Sequence, residues 1–161
     1  MSEACGHSHG DGKGLSGPGL GVALEEAEAR CADVGERLTA PRRRVLELLL
    51  ETGQPTKAYD LIAAFGADGQ AAKPPTVYRA LDFLERIGMA HRIASISAYV
   101  ACVRGEAAHA AAFLICDCCG DARELDPPSS QPLQAGAAAA GYRLDRVTIE
   151  AHGLCGACRP T

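Results

Sequence analysis

The clearest chemistry in this 161-residue chain lies in two C-x2-C pairs, Cys116 with Cys119 and Cys155 with Cys158. Two residues between cysteines let one tight turn aim both sulfurs at the same point. Two such turns supply the four thiolates of a closed tetrahedral structural zinc site. Disulfides and an iron–sulfur cluster are the competing uses of that spacing. Cys118 offers a further thiol beside Cys119, as an alternative ligand or an oxidisable group. His152, next to the second pair, reads as a strand-end residue hydrogen-bonded to backbone.

Zinc-dependent deaminases also set a C-x2-C near a His and a Glu, but their order is H-x-E followed by P-C-x-x-C. Here Ile115 precedes Cys116, and Glu150 to His152 read E-A-H, the reverse order. No open three-ligand site is indicated, so the chain is not read as an enzyme.

The elements that hold these cysteines follow from periodicity. Ala110 to Cys116 is an apolar strand running into the first pair, Ala122 to Leu125 its hairpin partner, Ser130 to Ala140 a helix, and Tyr142 to Ala151 a long alternating third strand. A helix on a three-stranded antiparallel sheet leaves apolar surface that two copies of the chain can share, which predicts a homodimer. A region this small has a marginal core, and a bound zinc is a common remedy in a reducing compartment.

Upstream the pattern is helical. ALEEAEARCA suits a short helix from Val22 to about Ala32, with Cys31 as a buried small residue. Thr39 is placed to cap a helix over PRRRVLELLLETG, and Thr56 a third that carries Tyr59, Leu61, Ile62 and Phe65. Lys73-Pro74-Pro75 leads into TVYRALDFLERIG, a fourth helix stopped at Gly88. Ala90 to Ile93 and Ala98 to Cys102 then form a hairpin around Ser95-Ile96-Ser97.

Helices followed by a hairpin make a winged helix-turn-helix, whose recognition helix enters the major groove by its N-terminal residues. Thr76, Tyr78 and Arg79 are therefore expected at DNA, with Tyr59, Lys73, Arg92 and Arg42 to Arg44 placed for backbone phosphates. Charge is consistent with this. Residues 37–104 carry ten Lys and Arg against six Asp and Glu, leaving six against fourteen elsewhere, within a net charge of −4.

The fold class is thus α+β: residues 1–20 a disordered tail, 21–104 a winged-helix DNA-binding domain, 105–161 a dimerisation and zinc-binding α/β domain. Cys5, His7 and His9 alternate with small residues in the Gly-rich tail, where a flexible segment is the plainer reading than a metal site. The start lacks the apolar core of a signal peptide and no apolar run is long enough to span a bilayer, so a cytoplasmic protein with no membrane partner is expected.

KAYDLI, KPPTVYRALDFLERIGMAHRI, YVAC, FLICDCCG and IEAHGLCGAC, in this order and spacing, resemble the ferric uptake regulator family, most closely its zinc uptake regulator branch. The resemblance implies a homodimeric repressor of zinc acquisition genes that uses zinc as corepressor on AT-rich inverted repeats in double-stranded DNA. It implies two zinc ions per subunit, a structural one on Cys116, Cys119, Cys155 and Cys158 and a regulatory one on His91, Cys102, His109 and Glu124. That second set mixes imidazole, thiolate and carboxylate, donors that suit zinc without an open position.

Iron- and manganese-sensing relatives carry a histidine-rich run after the wing, whereas here three alanines follow His109. The alternatives are another metal- or peroxide-sensing regulator of the family and, from a different class, a zinc storage or delivery protein.

Overall fold

Apolar spacing builds the first unit. In the computed structural model, which describes residues 14–66, 73–102, 110–126 and 128–159, a helix α2 spans Ala40–Thr52 and buries Val45, Leu46, Leu48, Leu49 and Leu50. Pro41 sits in its first turn, where a missing N–H costs nothing. Gly53 ends it with φ of 59°, a left-handed conformation that a side chain would disfavour. Thr39 occupies the N-cap position, but its side chain makes no capping bond; its carbonyl accepts from the Arg43 N–H instead.

The helices α3 (Ala58–Phe65) and α4 (Pro74–Arg86) pack on α2 through Leu61 and through Val77, Ala80, Leu81, Phe83 and Leu84. Fully burying a leucine contributes roughly 1.5–3 kcal/mol, so this shared core stabilises the whole unit. A preceding helix α1 runs from Gly17 to Asp33 and buries Leu24, Ala27 and Cys31. It starts well before the expected Val22, and residues 17–20 belong to it and not to the tail. Pro18 is tolerated in the first turn, and Leu20 packs partly on the core.

The wing is a three-stranded antiparallel sheet in the order β1-β3-β2, with β1 at Thr56–Lys57, β2 at Ala90–Ile93 and β3 at Ala98–Ala101. Thr56 therefore lies in a strand opposite Tyr99 and does not cap α3, whose N-cap position is Lys57. Gly88, at φ of 71°, turns the chain from α4 into the wing.

The second unit, residues 110–159, is a separate sheet in the order β5-β4-β6. Its strands are β4 (Ala111–Cys116), β5 (Ala122–Leu125) and β6 (Thr148–Gly153), and a helix α5 (Gln131–Ala139) separates the last two. Two expectations are corrected. The last strand is Thr148–Gly153 and not Tyr142–Ala151, and it pairs with β4 in parallel, so the sheet is mixed and not wholly antiparallel.

The physical reason is the connection. β5 ends beside the start of β4, Leu125 opposite Ala112, and the connection through α5 starts β6 at that same end, Thr148 beside Ala111 on the free edge of β4, so β6 runs with β4 and against β5. Alternation in a sequence reports which side chains share a face. It carries no information on strand direction.

Candidate metal centre and nucleic-acid interface

The four cysteines meet where β4 and β6 end together. Cys116 is the last residue of β4, and the chain folds back through a turn closed by Gly120 N–H to Cys116 carbonyl at 2.9 Å and Cys116 N–H to Asp121 carbonyl at 2.8 Å. Gly120 takes φ of 76° to close it. The parallel register sets Gly153 beside Cys116, with Asp117 N–H donating to the Gly153 carbonyl at 2.8 Å. Residues just beyond Gly153 therefore arrive at the same end of the sheet, where a second turn closes from Cys158 N–H to Cys155 carbonyl at 3.0 Å.

The four Sγ atoms lie within 4.8 Å of one another, and those of Cys119 and Cys155 are 3.9 Å apart. A tetrahedron with zinc–sulfur bonds of about 2.3 Å has edges of about 3.8 Å, so the donor set fits one zinc ion. An S–S bond of about 2.05 Å is far shorter, and all four are free thiols. The Cys155 N–H also donates to Cys116 Sγ at 3.3 Å.

The protonation energetics point the same way. Backbone N–H groups of Cys119 and then Cys155 aimed at Cys116 lower its thiol to about 6. Burial, followed by the neighbouring sulfurs of Cys155, Cys119 and Cys116, pushes Cys158 up to about 12. Four thiolates this close repel, and a divalent cation removes the conflict.

Cys118 stands outside this sulfur cluster. His152 does too: its Nδ1 is 2.9 Å from Asp117 Oδ1, so its partner is a carboxylate and not the expected backbone group.

Two members of the expected regulatory set lie in the wing. Cys102 N–H donates to the Met89 carbonyl at 2.9 Å, extending the ladder in which His91 faces Val100. That register puts Cys102 and His91 on one face of the hairpin as diagonal neighbours. His91, 6 % exposed, is the one buried polar or charged residue among those described, and Cys102 is 7 % exposed. An imidazole and a thiol sharing a shielded face suit a zinc ion. Glu124 lies on β5 opposite Phe113 in the second unit, and His109 falls outside the described residues.

On the nucleic-acid side, α4 buries one face and exposes Tyr78 (47 %) and Arg79, with Thr76 half-buried and Lys73 exposed at its start. Tyr59 on α3 is 78 % exposed, and Arg92 projects from β2.

The arginine run behaves differently. Arg43 pairs with Glu28, and Arg44 with Glu47 at 2.7 Å. Arg42 sits over the Phe83 ring at 3.4 Å, where Arg86 also approaches at 5.3 Å. Sequence reasoning missed this cluster, because its members come from separate helices and no motif announces it.

The model of the ferric uptake regulator family matches residues 33–152. The zinc uptake regulation protein of Escherichia coli (strain K12) is 41 % identical over 137 residues, which is 84 % of this chain and 80 % of that protein. A zinc uptake regulator complexed with zinc and DNA is 40 % identical with a TM-score of 0.77, covering 86 % of this chain and 94 % of that one. Holo XcZur is 42 % identical with a TM-score of 0.73, covering 84 % and 95 %. With its two-unit fold, its exposed recognition helix and a family match across most of its length, the chain belongs to the ferric uptake regulator family.

Proposed function

We infer that this chain is a zinc-responsive DNA-binding repressor that turns off genes of zinc acquisition when zinc is plentiful. The observation that carries the reading is the 40 % identity, over 86 % of the chain, with a regulator solved together with zinc and DNA. Two local features support it: a sulfur cluster of the right size for zinc, and a helix that holds Tyr78 and Arg79 in solvent. Among the described residues no helix is long and apolar enough to cross a membrane, which accords with a cytoplasmic role.

In this reading each subunit holds two zinc ions. One sits on Cys116, Cys119, Cys155 and Cys158 and makes the second unit's fold durable. The other is held by His91, Cys102, His109 and Glu124. Because two of these ligands belong to the winged helix and Glu124 to the other unit, a metal bound by the full set ties the units together.

The active species is a homodimer. In support, α5 buries none of its residues within the chain, and Leu114, Leu125, Leu133 and Tyr142 of the second unit are all at least 42 % exposed. Two winged helices related by a two-fold axis ask for an inverted repeat, with Tyr59, Lys73, Thr76, Tyr78, Arg79 and Arg92 facing the duplex. Without the regulatory zinc the pair samples many separations, and zinc raises affinity by narrowing them to the one that fits two half-sites.

The test is fluorescence anisotropy of a labelled AT-rich inverted-repeat duplex across buffered free zinc. Binding should be zinc-dependent and should weaken steeply as salt rises. A zinc storage or delivery protein would take up zinc with no such duplex binding.

A further inference from the structure

Arg42 stands first in a run of three arginines on the basic unit, the place where a phosphate contact is expected. Within the chain it already has other partners. Its Nη1 donates to the Arg37 carbonyl at 2.7 Å, and its guanidinium carbon sits over Phe83, 3.4 Å from the ring centre. Phe83 is a buried residue of the recognition helix α4.

Glu36 sits between the two cations: its Oε1 accepts from Arg86 at 2.9 Å, and its Oε2 is 3.7 Å from Arg42 Nη1. Two guanidiniums drawn to one aromatic ring repel each other, and the carboxylate relieves that repulsion. The cluster joins the α1–α2 connection, the first turn of α2 and the last turns of α4.

We propose that Arg42 is a positioning residue that fixes the recognition helix through Phe83, with Glu36 as the countercharge that lets Arg42 and Arg86 share the ring. This rests on the DNA-binding reading above. A planar guanidinium can stack on a ring and reach a carbonyl in the same pose, which a lysine ammonium cannot. Arg42 therefore acts on affinity by setting the angle at which Tyr78 and Arg79 are offered, with no phosphate of its own to neutralise.

The distinguishing property is the salt slope. Each phosphate neutralised by the protein adds about 0.9 to the steepness of log affinity against log salt, whereas a helix that is merely misaligned weakens binding with the slope kept. The probe is a duplex selected from a random pool by the zinc-loaded wild-type protein. Arg42→Lys keeps the charge, Arg42→Met removes it, and Glu36→Gln makes the unit more basic.

Positioning predicts that all three bind about five- to tenfold more weakly at an unchanged slope. Lys73→Ala, by contrast, should flatten the slope by about 0.9. The Glu36→Gln result is the sharpest, because charge alone predicts tighter binding from loss of an acidic group, and this account predicts weaker. Should Arg42→Met fail to fold, the isosteric Glu36→Gln and the charge-retaining Arg42→Lys still decide the matter.

The proposal is overturned if Arg42→Lys binds like wild type while Arg42→Met flattens the slope, which is a phosphate contact. It is overturned equally if the variants lower the melting temperature but leave affinity untouched, or if Glu36→Gln binds more tightly. Wild-type protein that selects no duplex would instead sink the DNA-binding reading itself, and this inference with it.

Discussion

The four-cysteine cluster and the mixed set proposed above as a second metal site are built on opposite principles. The four-cysteine set is local: both its turns hang from adjacent strands of one sheet, and the parallel register of Cys116 with Gly153 brings them together. The mixed set of His91, Cys102, His109 and Glu124 is divided, with His91 and Cys102 on the wing and Glu124 on the other sheet. A site pre-built by backbone hydrogen bonds can stay filled whenever the chain is folded. In the proposed second set the ligands come from separate units, and its occupancy would therefore serve as a signal where that of the first would not.

Breaking the local set should have the largest effect. Cys116→Ser removes one thiolate and the acceptor of the Cys155 N–H, so the protein should lose the structural zinc and either unfold or become monomeric. Metal analysis with size-exclusion chromatography would check this, and a stable zinc-loaded dimer would break the comparison. His91→Ala comes next: the dimer should stay folded with its structural zinc, zinc content should fall from two to one per subunit, and DNA binding should lose its zinc response.

Gly120→Ala sharpens the comparison at smaller cost. The left-handed residue of the first turn would carry a Cβ in a conformation disfavoured by roughly 1–2 kcal/mol, although nothing lies within 4 Å of that Cβ. Melting should shift to lower temperature with zinc content intact. The smallest effect is expected of His152→Ala, since His152 and Asp117 form an exposed pair worth at most about 1 kcal/mol. Zinc retention against a chelator should match wild type, as His152 lies outside the sulfur cluster.

What the sequence makes legible follows the same division. The cysteine pairs and the cores of α2 and α4 can be read directly, because two-residue spacing and helical periodicity are properties of neighbours along the chain. The start of α1 is hidden by its Gly, Ser and Pro content, even though Leu20 and Leu24 lie one helical turn apart and both contact the core. The two-residue strand β1 is too short to show alternation, and the parallel direction of β6 depends on the whole connection through α5.

The stack of Arg42 on Phe83 could not be read either. A run of basic residues looks the same whether its members meet phosphate or a ring. Of the residues proposed for the regulatory site, Cys102 and His91 become neighbours only through the hairpin register, and the family resemblance, not spacing, is what singles them out.

The most direct test of a fixed site beside a switchable one is native mass spectrometry during a graded chelator titration, run in parallel with duplex-binding anisotropy. The account predicts that one zinc per subunit leaves first, that DNA binding disappears with it, and that the dimer persists with the second zinc in place. DNA binding that survives loss of the first zinc, or both ions leaving in one step together with dissociation of the dimer, would contradict it.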